Sequence, residues 1–65
     1  MVLKIYIVDG GERYYLRDWF VYDGLDHVVF TATAKHAMKF HAREAATDYM
    51  YQLRANGYRP KTEVC

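Results

Sequence analysis

The residues with chemical potential are three histidines, two close pairs of carboxylates, one cysteine and one pair of glycines. A catalytic zinc needs about three protein ligands converging on one point. His27 lies in a β-branched run, His36 in a short helical stretch and His41 at the mouth of a helix. His36 and His41 straddle a helix boundary, so the spacing predicts locally hydrogen-bonded or solvated imidazoles, with no metal and no other cofactor. Asp23 and Asp26 flank a turn, and Glu44 and Asp48 stand one helical turn apart. General acid–base work needs carboxylates facing each other across a substrate. Turn chemistry and a wet helix face account for these four. Cys65 has no positioned base. Gly10-Gly11 joins two strand-like runs, whereas a phosphate cradle joins a strand to a helix. No residue is assigned a catalytic role, and an enzyme is not expected.

Cations interleaved with aromatic rings are more distinctive. Alternation places Lys4, Tyr6, Arg13, Tyr15 and Arg17 on one face of a hairpin. Rings on a sheet flanked by cations are how several single-strand binders stack bases. A second basic patch, Lys35, His36, Lys39, His41 and Arg43, surrounds the short helical stretch. Apolar groups are also in excess: Val2, Tyr6, Val8, Tyr15, Phe20, Tyr22 and Val29 exceed what one helix can cover. Monomers seldom expose an apolar patch beyond a few hundred Å², and Tyr is enriched at interfaces. The candidate partner-binding set is therefore Lys4, Tyr6, Arg13, Tyr15, Arg17, Phe20 and Tyr22. The same residues also fit a solvated face, with Lys and Arg stems covering apolar surface and the C-terminal segment hiding part of the patch.

The chain that must position these groups has 65 residues, 52% of them hydrophobic and seven of them Tyr. That is one small α+β domain over residues 1–65. Below roughly 70–80 residues a single core is a thin source of stability. One Cys allows no internal disulfide, which leaves an apolar core or a second copy to stabilise the fold. Nine Lys/Arg against eight Asp/Glu give a net charge of +1, unlike a basic duplex binder or an acidic nucleic-acid mimic. No apolar run is long enough to span a membrane. With no secretion signal apparent and a lone thiol, the expected location is a reducing cytoplasm.

Residues 2–8 alternate as a strand, with Leu3, Ile5 and Ile7 on one face. A Gly10-Gly11 loop would set Tyr6 opposite Tyr15 and Ile7 opposite Tyr14, with Ile5 opposite Leu16 and Lys4 opposite Arg17. The second strand, 12–22, would bury Asp18 if alternation continued unbroken. That cost predicts a bulge near Asp18, with Trp19 and Val21 then inward. Tyr22–Asp26 is a turn leading to a third strand, 27–31, and a four-residue loop would pair Trp19 with Phe30 and Val21 with Val28. Thr33 is the expected cap of a helical turn reaching Met38, and Phe40 anchors the chain beyond it. The main helix spans about 42–56, capped by His41, with an apolar stripe of Ala42, Ala45, Ala46, Tyr49, Met50 and Leu53. Gly57 stops it. Pro60 restricts any strand in 58–64 to a sheet edge. The expected fold is thus a three-stranded antiparallel meander, a short helical turn, one helix packed on one sheet face, and a C-terminal edge strand.

The run Phe30–Tyr58 resembles short uncharacterised proteins encoded by bacteriophages and prophages. Thr31, Lys35, Ala37, Phe40, Arg43, Glu44 and Ala46 carry the resemblance. Thr33, His41 and Ala45 depart from it. The matching residues are caps and core, so the resemblance bears on fold and origin, and it implies no catalytic residues. Phage proteins of this size often bind and block a host protein. The expectation is a non-enzymatic protein-binding module, an inhibitor of a host or anti-phage defence protein such as a CRISPR or restriction component. Its partner would be that host protein or a second copy. The alternative is a small single-stranded nucleic-acid binder using the aromatic and basic sheet face, which the near-neutral charge disfavours.

Overall fold

A computed structural model describes all residues, 1–65. The chain runs β1 (Leu3–Asp9), β2 (Glu12–Tyr22), β3 (Leu25–Thr31), a 3-10 turn (Ala34–His36), α1 (Arg43–Ala55) and β4 (Lys61–Val64). The strands form one antiparallel sheet in the order β3-β2-β1-β4. The meander is therefore extended by β4 on the free side of β1, at the sheet edge where Pro60 permits it.

Both hairpin turns are two residues long. Gly10 and Gly11 take φ of 60° and 83°, and Asp23 and Gly24 take 53° and 73°. Two successive positive φ values match the twist of the flanking strands. The first turn sets Tyr6 opposite Tyr15 and Ile7 opposite Tyr14, as alternation predicts. The second is shorter than expected. Trp19 stands opposite Val28 and Val21 opposite Asp26, so the pairings with Phe30 and Val28 do not form. Asp-Gly suits the left-handed pair and closes the hairpin two residues earlier.

A bulge does interrupt β2. Leu16 pairs with Phe30 and Asp18 with Val29, leaving Arg17 as the extra residue. Leu16 and Trp19 thereby share the inner face, while Asp18 stays in solvent. The ladder between β1 and β2 begins at Tyr6 and Tyr15. Beyond it, residues 38–40 take up the free backbone groups. The Met38 amide donates to the Leu16 carbonyl at 2.9 Å, and Leu3 and Phe40 exchange two bonds of 2.8 Å. Lys4 pairs instead with Glu63 of β4.

α1 packs on the inner face. Leu3, Ile5, Leu16, Phe40, Ala46 and Leu53 form the main core, joined by half-buried Trp19, Val28, Phe30, Met38, Tyr49 and Met50. Four of them, Leu3, Ile5, Leu16 and Leu53, are at most 1% exposed; complete burial of such a side chain contributes about 1.5–3 kcal/mol. Tyr49 lies between Phe40 and Trp19, with ring centroids 5.3 and 5.7 Å away. Ala42 and Ala45 are exposed, so the packed stripe is narrower than the spacing suggests. The N-cap is Ala42, in extended conformation and without a side-chain cap bond, so His41 does not cap the helix. Glu44 in the first turn complements the positive end of the helix dipole. Gly57, at φ 90°, ends the helix. Its amide bonds the Arg54 carbonyl and the Tyr58 amide bonds the Leu53 carbonyl, the paired closure that a left-handed residue permits. No helix is long and apolar enough to cross a membrane.

Candidate functional site

The outer sheet face divides into a closed half and an open half. The closed half contains the residues that alternation brings together. Tyr6 and Tyr15 stack obliquely, with centroids 5.8 Å apart. They are only 9% and 7% exposed, in a second small core with Ala37 and Ala34. The 3-10 turn thus lies over the outer face before the chain passes, through 38–40, to the helix side. Thr33 offers this turn no side-chain cap; the Thr31 hydroxyl oxygen accepts from the Thr33 amide instead.

The cations of this half rest on the rings they were expected to flank. The Arg13 guanidinium carbon is 4.4 Å from the Tyr6 ring centre, and the Lys4 ammonium 5.9 Å from that of Tyr15. Glu63 ties the group together. It accepts from Arg13, and the Tyr15 hydroxyl lies 3.2 Å from each of its oxygens. The Arg13 pKa lies above its ordinary value, chiefly through the Tyr15 hydroxyl, then through the Tyr6 and Glu63 oxygens. An exposed pair of this kind contributes little to stability, because solvent screens it. Tyr6 and Tyr15 are accordingly corrected from contact residues to packing residues, since neither ring presents a free face for a base. Lys4 and Arg13 cover them. Glu63 is the member that sequence reasoning missed. Its signal was parity: Glu63 opposite Lys4 puts it on the Tyr15 side.

The open half is the far end of the β2–β3 hairpin. Past the bulge these strands pair only with each other. Trp19 and Val28 still reach the core; residues 20–27 are exposed throughout. Phe20, Tyr22 and Leu25 are 44%, 69% and 65% exposed. Cross-strand pairing sets Phe20 beside His27 and Tyr22 beside Leu25 on one face. The Phe20 and His27 rings stack at 5.2 Å and 12°, and Tyr22 meets His27 edge-on at 6.1 Å. Val21, 68% exposed, lies on the opposite face. Of the expected contact residues, Phe20 and Tyr22 belong here, joined by Leu25 and His27. Arg17 is exposed at the base, on the bulge. Primed-turn chemistry at Asp23-Gly24 was the signal for Leu25, since it brings that residue into the ladder beside Tyr22.

Charge divides along the same line. Residues 18–29 hold Asp18, Asp23 and Asp26 and no Lys or Arg, while the remaining chain holds nine Lys/Arg against five carboxylates. Lys35, His36, Lys39, His41 and Arg43 are all exposed. The ribbon is therefore acidic and the segment between the 3-10 turn and the helix is basic.

Nowhere do three His, Cys, Asp or Glu side chains gather as a metal site would require. A cleft of about 280 Å³ lies between the end of β1 and the helix stop, lined by Ile7, Val8, Asp9, Gly57, Tyr58 and Arg59. It contains no histidine, cysteine, serine or threonine. In comparisons with known proteins, no family model matches the chain, and no curated protein or solved structure matches it.

Proposed function

We propose that this chain is a non-enzymatic protein-binding module whose contact surface is the β2–β3 ribbon. In this reading it is a phage-type inhibitor of a host or defence protein, acting in the bacterial cytoplasm. One observation carries the reading: Phe20, Tyr22 and Leu25 stand together on one exposed ribbon face, while the other aromatic pair of that sheet face, Tyr6 and Tyr15, is covered. Interfaces draw most of their energy from a few aromatic anchors of this kind. The test is capture from a bacterial host lysate with the native chain and with F20S/Y22S/L25S, with solution mass measured for both. A partner, or a dimer, held by the native chain and lost by a folded triple variant supports the reading. Equal retention by both chains would refute it.

A second reading, single-stranded nucleic-acid binding, is favoured only by the exposed Lys35, His36, Lys39, His41 and Arg43. The sheet platform it needs is occupied at Tyr6 and Tyr15. Phosphate-driven binding weakens steeply with salt, so oligonucleotide retardation at low salt decides this alternative.

A further inference from the structure

We infer that the ribbon's partner is a foreign protein surface with an apolar centre and a rim of Lys and Arg. The inference rests on the ribbon being the contact surface. The centre of the patch is Phe20, Tyr22 and Leu25, with His27 stacked against Phe20. Asp18 continues the same face toward the bulge and Asp23 forms the turn at the tip, while Asp26 pairs with Val21 on the opposite face. All three carboxylates are exposed, and none forms an ion pair. The patch therefore meets any partner as an apolar surface bounded by unpaired negative charge. Like charges across an interface select against a partner, and opposite charges steer and orient it.

That sign discriminates among occupants. Nucleic acid and an anionic membrane leaflet both present phosphate to a surface that repels it. A second ribbon would set Asp18 and Asp23 against the same two carboxylates. The basic segment 35–43 of another copy has the right sign, but a ribbon-to-segment contact is head-to-tail and would grow into rings or filaments. A cationic-rimmed surface on a different protein satisfies charge and apolar contact together.

The experiment uses the full chain and two amphipathic helical peptides of one pattern, Leu with Lys and Leu with Glu, followed by amide chemical shifts. The expected result is perturbation of Phe20, Tyr22, Leu25 and His27 by the Lys peptide alone, relieved by salt. D18N/D23N should weaken that binding about fivefold, the combined worth of two exposed ion pairs, and D26N, on the opposite face, should not. Asn retains the acceptor that Asp18 offers the Trp19 amide and tolerates the left-handed φ of Asp23. D18N alone serves if the double variant loses its fold. Equal perturbation by the Glu peptide would overturn the charge selection and leave the ribbon as a contact surface. Perturbation elsewhere, or none, would overturn both. Self-association of the native chain that D18N/D23N abolishes would assign the cationic surface to a second copy.

Discussion

Tyr15→Ser and Tyr22→Ser make one chemical change at two positions of β2, and their outcomes should diverge sharply. Tyr15 is 7% exposed and Tyr22 69% exposed. A Tyr ring buries about 150–250 Å² when covered, and each Å² is worth about 25 cal/mol. Loss of the Tyr15 ring should therefore cost about 3–5 kcal/mol, the range of aromatic truncations in cores. Its cavity opens beneath Ala37 and beside Tyr6. Tyr22 has less than a third of that burial to lose, so its cost is about 1 kcal/mol. Intrinsic strand propensity cancels between the two substitutions. A domain of this length has about 3–10 kcal/mol of stability in total, so Tyr15→Ser should lose much of its folded population, with a Tm at least about 10 °C below that of Tyr22→Ser. Urea and thermal unfolding by far-UV circular dichroism, with Trp19 fluorescence as a second probe, give both numbers. Equal midpoints would refute the division of the outer face into a closed and an open half. Partner binding should show the opposite order, lost in Tyr22→Ser and retained by whatever fraction of Tyr15→Ser is folded.

Gly24→Ala places a side chain at φ 73° and should cost about 1–2 kcal/mol in urea unfolding, whereas Asp23→Asn should change the midpoint by no more than about 0.5 kcal/mol; similar losses from both would contradict the primed turn. A double-mutant cycle on Arg13→Gln and Glu63→Gln should give a small favourable coupling that shrinks with added salt, and a coupling insensitive to salt would mean the pair is more sheltered than its exposure indicates. Deleting Arg17 should leave Trp19 opposite Val28, because Arg17 is the extra residue between the Leu16 and Asp18 pairs. A Trp19 emission shifted to that of a fully wet indole would show instead that the bulge maintains the register.

Most of the fold was legible where a local cost had only one remedy. Asp18 could not go inward, so β2 had to change parity near it. Gly10-Gly11 could accept two positive φ values, so Tyr6 had to meet Tyr15. Gly57 could end the helix and Pro60 could sit only at an edge. The second turn was read as a four-residue loop, although Asp23-Gly24 is a pair that can take two positive φ values and close a two-residue hairpin. The cover over Tyr6 and Tyr15 had no local signal. Ala34 and Ala37 show no face of their own, and which side of the sheet they meet depends on where residues 38–40 cross. That crossing needs backbone groups left free by the bulge, a contact between segments more than twenty positions apart in sequence, as Met38 and Leu16 are. The candidate site was half legible for the same reason: Phe20 and Tyr22 were identified by parity beyond the bulge, and Tyr6 and Tyr15 by parity without knowledge of the cover.

The bare ribbon follows from how little covering chain there is. α1 has 13 residues and is about 20 Å long; it spans the sheet from Leu3 to Trp19 and ends. The 3-10 turn covers one tyrosine pair. Neither element reaches residues 20–27, where Phe20, Val21, Tyr22 and Leu25 fall. Leaving them wet costs the fold little, because they are wet in the unfolded chain as well. The cost is indiscriminate association, since a two-stranded apolar ribbon with a free edge invites pairing with any similar segment. Asp18, Asp23 and Asp26 oppose that as charged flanks oppose aggregation elsewhere. Asp18 and Asp23 therefore act in two ways. In the free chain they hold apart ribbons that would otherwise stick. In a complex they admit only a surface that can neutralise them, so the device that keeps the apolar patch tolerable is also the one that chooses its partner.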